Sequence, residues 1–203
     1  MNLITAIDPI RREIAPTTRD GEPARRLIAE RSYPTSADDL WDALTNAERI
    51  PRWFLPVSGD LRLGGRFQLE GNAGGTITTC DPPRHLGITW EYGGMVSWVD
   101  VHLTPDGDAT ALRLEHVATI GGDDKWDEYG PGAVGIGWDL TLAGLAQHVE
   151  TKGTVNSDVA DPAALDAMRR SSDEWCQASI AFGTPADAAE AAAARTTAAY
   201  TGG

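Results

Sequence analysis

Residues 130–150, GPGAVGIGWDLTLAGLAQHVE, decide the fold. A glycine-rich lead-in runs into Trp138, Leu142, Leu145 and Val149 at i, i+4, i+7 and i+11, the spacing of one helix face. The stretch follows a run of short alternating segments that read as strands. One long apolar-faced helix meeting a sheet late in the chain predicts an α+β fold. A curved antiparallel sheet wraps the helix and leaves a cavity between them.

The strands before it set a register. Residues 85–92 alternate, with Leu86, Ile88, Trp90 and Tyr92 on one face. Gly93-Gly94 reads as a two-residue turn pairing Tyr92 with Met95, Trp90 with Ser97, Ile88 with Val99 and Leu86 with Val101. Asp106-Gly107 reads as a second, pairing Leu103 with Thr110, Val101 with Leu112, Val99 with Leu114 and Ser97 with His116. Both turns produce the same apolar face, and that agreement argues for a meander. Trp90, Ser97 and His116 then share one row across three strands. A serine and a histidine on a dry face need partners, or they cost about 1–3 kcal/mol. They either satisfy each other or face a liganded cavity. The opposite face, with Trp98, Asp100, His102, Arg113 and Glu115, reads as solvated.

Further upstream, residues 61–67 predict a three-residue glycine turn pairing Leu61 with Phe67, and residues 76–80 another strand closed by Asp81-Pro82-Pro83. Residues 27–32 form a first strand ended by Pro34. Ser36 to Asp39 reads as a capping box opening a helix with Leu40, Trp41 and Leu44 on one side, and Asn46 starts a short helix with Ile50 inward, broken at Pro51. Trp53 and Phe54 follow as core or cavity residues. Leu3, Ile7, Ile10 and Ile14 have near-helical spacing, with Asp8 and Pro9 as an alternative helix start, and residues 16–23 look like a linker. Residues 121–132 read as a polar loop. Beyond Gly153, a helix runs from Asp161-Pro162 to about Phe182, and an alanine-rich helix after Pro185 reads as a docked or fraying appendage. The expected organisation is an arm (1–23), a domain (24–153) and a helical extension (154–203).

With 203 residues the chain can bury a full core, and its formal net charge of −13 argues against nucleic acid or an anionic membrane as partner. Cys80 and Cys176 stand far apart, and there is no leader and no apolar run of about 18 residues, so a reducing cytoplasm is expected, with no membrane span. Gly130, Gly132 and Gly135 fit the letters of a dinucleotide fingerprint, but acidic residues rather than a buried strand precede them. His85, His102, His116 and His148 show no metal-ligand spacing, so neither a metal nor a cofactor is expected. Ser97 with His116 could act as nucleophile and base, but no residue that would orient the histidine and no oxyanion hole is evident.

A strand, two short helices, an antiparallel meander and a final long helix, with the stretches LWDALTNAERIPRWF, GDLRLGGRFQLEG and CDPPRHLGITW and Gly137-Trp138, resemble the helix-grip fold of the START-like SRPBCC superfamily. Within it they are similar to the bacterial branch of the family named for the activator of the heat-shock protein 90 ATPase, over residues 24–150. The resemblance implies a hydrophobic cavity. Relatives in the superfamily bind lipids, sterols or polyketides, and some cyclise polyketides. The eukaryotic namesakes stimulate the chaperone with help from an amino-terminal domain for which this chain has no room. The leading reading is a protein that binds an apolar or aromatic small molecule, walled by Trp53, Phe54, Trp90, Tyr92, Ser97, His116, Trp138 and Leu142. The alternatives are a polyketide cyclase-like enzyme with His116 as acid or base, and a protein-interaction module or homodimer.

Overall fold

A computed structural model describes residues 3–121, 124–155 and 161–202. Among the described residues, eight strands form one antiparallel sheet in the order β1-β2-β8-β7-β6-β5-β4-β3. In chain order they are β1 (Arg11–Arg19), β2 (Glu22–Tyr33), β3 (Val57–Gly59), β4 (Arg66–Leu69), β5 (Gly74–Asp81), β6 (His85–Tyr92), β7 (Met95–Asp106) and β8 (Ala109–Thr119). The helices are α1 (Leu3–Ile7), α2 (Ala37–Thr45), α3 (Asp124–Tyr129), α4 (Gly132–Thr151), α5 (Pro162–Phe182) and α6 (Ala186–Thr201). The sheet grips α4, whose Trp138, Leu142, Leu145 and Val149 are buried in one core with Leu27, Ala29, Val99, Val101 and Leu114.

The first hairpin has the expected register, Trp90 opposite Ser97 and Leu86 opposite Val101. Gly93 and Gly94 both take positive φ, 60° and 82°, as a type I′ turn demands. The second hairpin differs. Asp106 pairs with Ala109, Val101 with Leu114 and Val99 with His116, so the turn residues are Gly107 and Asp108. Only Gly107 has positive φ, 60°, which spares Asp106 the left-handed conformation a type I′ turn would force on it. The shift moves each pairing by two residues, and because side chains alternate with period two the inner face is unchanged.

The amino-terminal segment is not an arm with a linker. After the short α1 the chain enters β1, which pairs with β2 along its whole length, and a turn at Asp20-Gly21 replaces the linker expected over residues 16–23. Pro16 is tolerated because β1 is an edge strand. The helix that would start at Pro9 does not form. Ser36 does cap α2, accepting from the Asp39 amide at 3.3 Å, but Asp39 turns its carboxylate to Thr35, Arg49 and Lys152 instead of completing the box. Asn46 ends α2, and the next turn is a 3-10 helix over Ile50–Arg52 with Pro51 inside it, not after it. Between β3 and β4 the expected Leu61–Phe67 pair is absent. Phe67 pairs with Gly59, where a Cβ would lie 2.2 Å from the Arg66 carbonyl oxygen, and residues 60–65 form a longer loop. The loop expected over residues 121–132 holds α3 and the first residue of α4, its residues 122 and 123 lying outside those described.

The glycine-rich lead-in is itself helical, and its glycines permit close packing. A Cβ at Gly135 would lie 2.4 Å from the Trp175 ring, and one at Gly144 would lie 2.7 Å from the Trp53 carbonyl oxygen. Trp175, on α5, is 1% exposed, so this helix of the carboxy-terminal extension is part of the core. At the centre of that junction Asp139 on α4 is fully buried. It accepts from Arg12 of β1 at 2.8 Å, and from Ser171 and Trp175 of α5 at 2.5 and 3.1 Å. One carboxylate thus ties both ends of the chain to the gripped helix.

Candidate functional site: an apolar cavity beside a locked histidine

The grip leaves a cavity of about 130 Å³ between the sheet and α4. Its floor is two rows of the sheet. Ile77, Ile88 and Val99 are successive partners in one, and Cys80, Leu86, Val101 and Leu114 in the next. Trp138, Leu142 and Leu145 of α4 form the roof, and Trp53 and Phe54, stacked at 5.6 Å, form one end with Leu44 of α2. The threonine hydroxyls and the Trp53 indole on this wall are committed within the protein. Thr45 and Thr141 donate to the carbonyls of Trp41 and Gly137 in their own helices, both at 2.8 Å, and Trp53 Nε1 donates to the Ala43 carbonyl at 3.0 Å. The interior offers a guest mainly dispersion contacts and burial.

Of the residues expected on the wall, Trp53, Phe54, Trp90, Trp138 and Leu142 line the cavity. Tyr92, Ser97 and His116 do not. Tyr92 shares the face of Trp90 but sits beside the hairpin turn, 58% exposed, beyond the reach of α4. Ser97 and His116 do meet, diagonally across β7 and β8 because of the shifted register, with His116 Nε2 2.7 Å from Ser97 Oγ. The missing partner is Trp138, whose indole Nε1–H donates to His116 Nδ1 at 2.9 Å. An indole can only donate, so Nδ1 must accept and Nε2 must carry the proton given to Ser97. Ser97 in turn donates to the Trp90 carbonyl at 3.2 Å. Every hydrogen in this chain has one destination, and the imidazole is neutral with both nitrogens used. Burial pushes the His116 pKa down from 6.5 to about 4.

The second buried histidine, His148, is held in the same manner. Its Nδ1 donates to the Gly153 carbonyl at 2.6 Å and its Nε2 accepts from Arg49 at 3.2 Å. Sequence reasoning foresaw the floor from strand alternation. It missed Leu44, Thr45, Cys80 and Thr141 on the wall, for which only the helix and strand packing gives a signal.

An antiparallel sheet wrapped around one long helix over an apolar cavity defines a helix-grip domain of the START-like class. Residues 34–150 match the model of the family described as activator of Hsp90 ATPase homolog 1-like protein, and the chain belongs to that family. Among solved structures it is similar to CalU16 from Micromonospora echinospora. The crystal structure is 33% identical, with a TM-score of 0.70 over 83% of this chain and 97% of that one. The solution structure of the same protein gives 31% and 0.71, covering 86% and 97%. The Aha1 dimer from Colwellia psychrerythraea shares the fold at 15% identity and a TM-score of 0.52, over 62% of this chain and 96% of that one. No curated protein matches the sequence. Among the described residues, no helix is long and apolar enough to cross a membrane.

Proposed function

We propose that this protein binds a small apolar or aromatic molecule in the cavity between sheet and α4, and that it does so without chemistry. The observation that carries this reading is the composition of the wall. It is aliphatic and aromatic, and its threonine hydroxyls are already bonded within the protein. His116, the group a cyclase-like reaction would use, has both nitrogens occupied and lies behind Trp138. The volume of about 130 Å³ limits the guest. An engineered apolar cavity of roughly 150 Å³ accepts benzene, whereas drug-sized ligands occupy roughly 300–1,000 Å³. The guest that fits without rearrangement is one ring or a short alkyl chain. Burying on the order of 200 Å² gains about 5 kcal/mol, a Kd on the order of 0.1–1 mM before association costs are counted.

The test is a size series of benzene, toluene, naphthalene and a four-ring aromatic, followed by chemical-shift changes of the indole N–H groups of Trp53, Trp90 and Trp138. Saturable binding of the one-ring members, falling off with size, supports the reading. Absence of saturable binding across the series defeats it. Turnover of any substrate that is abolished by His116→Gln while binding persists would replace it with the enzymatic reading.

A further inference from the structure

The outer face of the sheet carries a side-chain cluster unrelated to the cavity. His85 on β6 and His102 on β7 are directly opposed in the ladder, and Asp100 precedes His102 by two positions, so strand alternation places all three on one face. The two imidazoles stack at 4.1 Å between centroids, and His85 Nε2 lies 2.7 Å from Asp100 Oδ1. One ligand atom from each of the three residues lies within 4.8 Å of the others. Gly87 opposes Asp100, and a Cβ there would lie 2.9 Å from Asp100 Oδ1. The glycine in the middle of β6 therefore leaves room for the carboxylate to lean toward His85. Across β8, Arg113 opposes His102 and Glu115 opposes Asp100. The Arg113 charge is already compensated by Glu30 and Glu115, and Arg26 also pairs with Glu115.

We propose that His85, Asp100 and His102 form a site for one divalent first-row transition ion of the zinc class, with solvent completing its coordination. Two imidazoles and one carboxylate suit such ions, whereas magnesium and calcium favour all-oxygen sets. Bonds of about 2.0–2.2 Å around a tetrahedral centre put ligand atoms roughly 3.4 Å apart. Closing the cluster to that spacing draws in ligand atoms now within 4.8 Å of one another, by rotation of the partly exposed His85, Asp100 and His102 side chains. The inner faces of the same two strands supply Leu86, Ile88, Val99 and Val101 to the cavity floor. A bound ion would clamp β6 to β7 from behind. This inference stands on the outer face alone and is independent of whether the cavity takes a guest.

The full chain is titrated with Zn²⁺ by calorimetry in a non-chelating buffer, with Co²⁺ absorption as a second readout. The His85 and His102 ring protons are followed by NMR in the unaltered protein. The expected result is one ion per chain, visible cobalt bands of a low-coordinate nitrogen–oxygen site, and ring-proton shifts confined to His85 and His102. His85→Gln and Asp100→Asn should each weaken binding at least roughly tenfold, since even groups that only orient metal ligands are worth 10–100-fold. No heat and no ring shifts in the unaltered chain overturn the proposal. So does affinity unchanged when His85→Gln and Asp100→Asn are combined, which would put the ion elsewhere.

Discussion

Replacing His116 by glutamine removes a titrating ring from the core, and its effect on pH dependence can be worked out from the structure. The folded protein holds the imidazole neutral, with a pKa near 4 because of burial, against 6.5 in an unconstrained chain. Above 6.5 neither state binds a proton, and the group contributes no pH dependence. As pH falls below 6.5 the unfolded chain takes up a proton that the native state refuses, so stability falls with pH. The loss stops growing once the native ring also titrates, near pH 4. The gap from 6.5 to about 4 corresponds to roughly 3 kcal/mol in full, of which about 2 kcal/mol falls between about pH 7 and about pH 5. The native proton would also set His116 Nδ1–H against the Trp138 Nε1–H, donor against donor. Urea unfolding of the unaltered protein and His116→Gln, at both pH values, isolates the term because the other titrating groups are common to the pair. The unaltered protein should lose about 2 kcal/mol more than the variant on acidification. Equal losses would refute the neutral, fully bonded imidazole.

Other substitutions probe the frame around the cavity. Leu142→Ala should cost about 2–5 kcal/mol in thermal or urea unfolding and extend the size series to larger guests, because the residue is 2% exposed in the cavity roof. Asp139→Ala strands Arg12 in the buried junction of β1, α4 and α5 and should cost roughly 3–5 kcal/mol, checked by the urea midpoint. Gly135→Ala drives a methyl into the Trp175 ring and should cost about 1–3 kcal/mol, with a change in near-ultraviolet circular dichroism as Trp175 shifts.

The grip was legible in the sequence because its pattern is redundant. Helical spacing in residues 138–149 and alternation in residues 85–92 each specify a face, and Gly93-Gly94 can meet the two positive φ angles of its turn at no cost. The second hairpin was misplaced by one residue at its turn because Asp-Gly and Gly-Asp are both turn dipeptides. The strain at Asp106 that decides between them is a backbone property. Strand β1 was hidden because Ile10 and Ile14 are four apart, a spacing that suits a helix face and a strand face equally. On the cavity wall, Trp90, Trp138 and Leu142 followed from the register and the helix stripe. Ser97 and His116 were recognised as neighbours, but not as enclosed, since no linear pattern says where the Trp138 indole nitrogen points. The opposition of His85 and His102 was implicit in the first hairpin, yet a search for metal-ligand spacing along the chain passes over ligands brought together across strands.

The most direct measurement of the central claim is a benzene titration of methyl-labelled protein followed by intermolecular NOEs. The account predicts contacts from benzene to the methyls of Leu86, Ile88, Val99, Leu114 and Leu142, all on the cavity wall, with His116 ring shifts nearly unmoved behind Trp138. Benzene that leaves those methyls untouched, or that contacts only the exposed Met95 and Val96 of the β6–β7 hairpin, would contradict it.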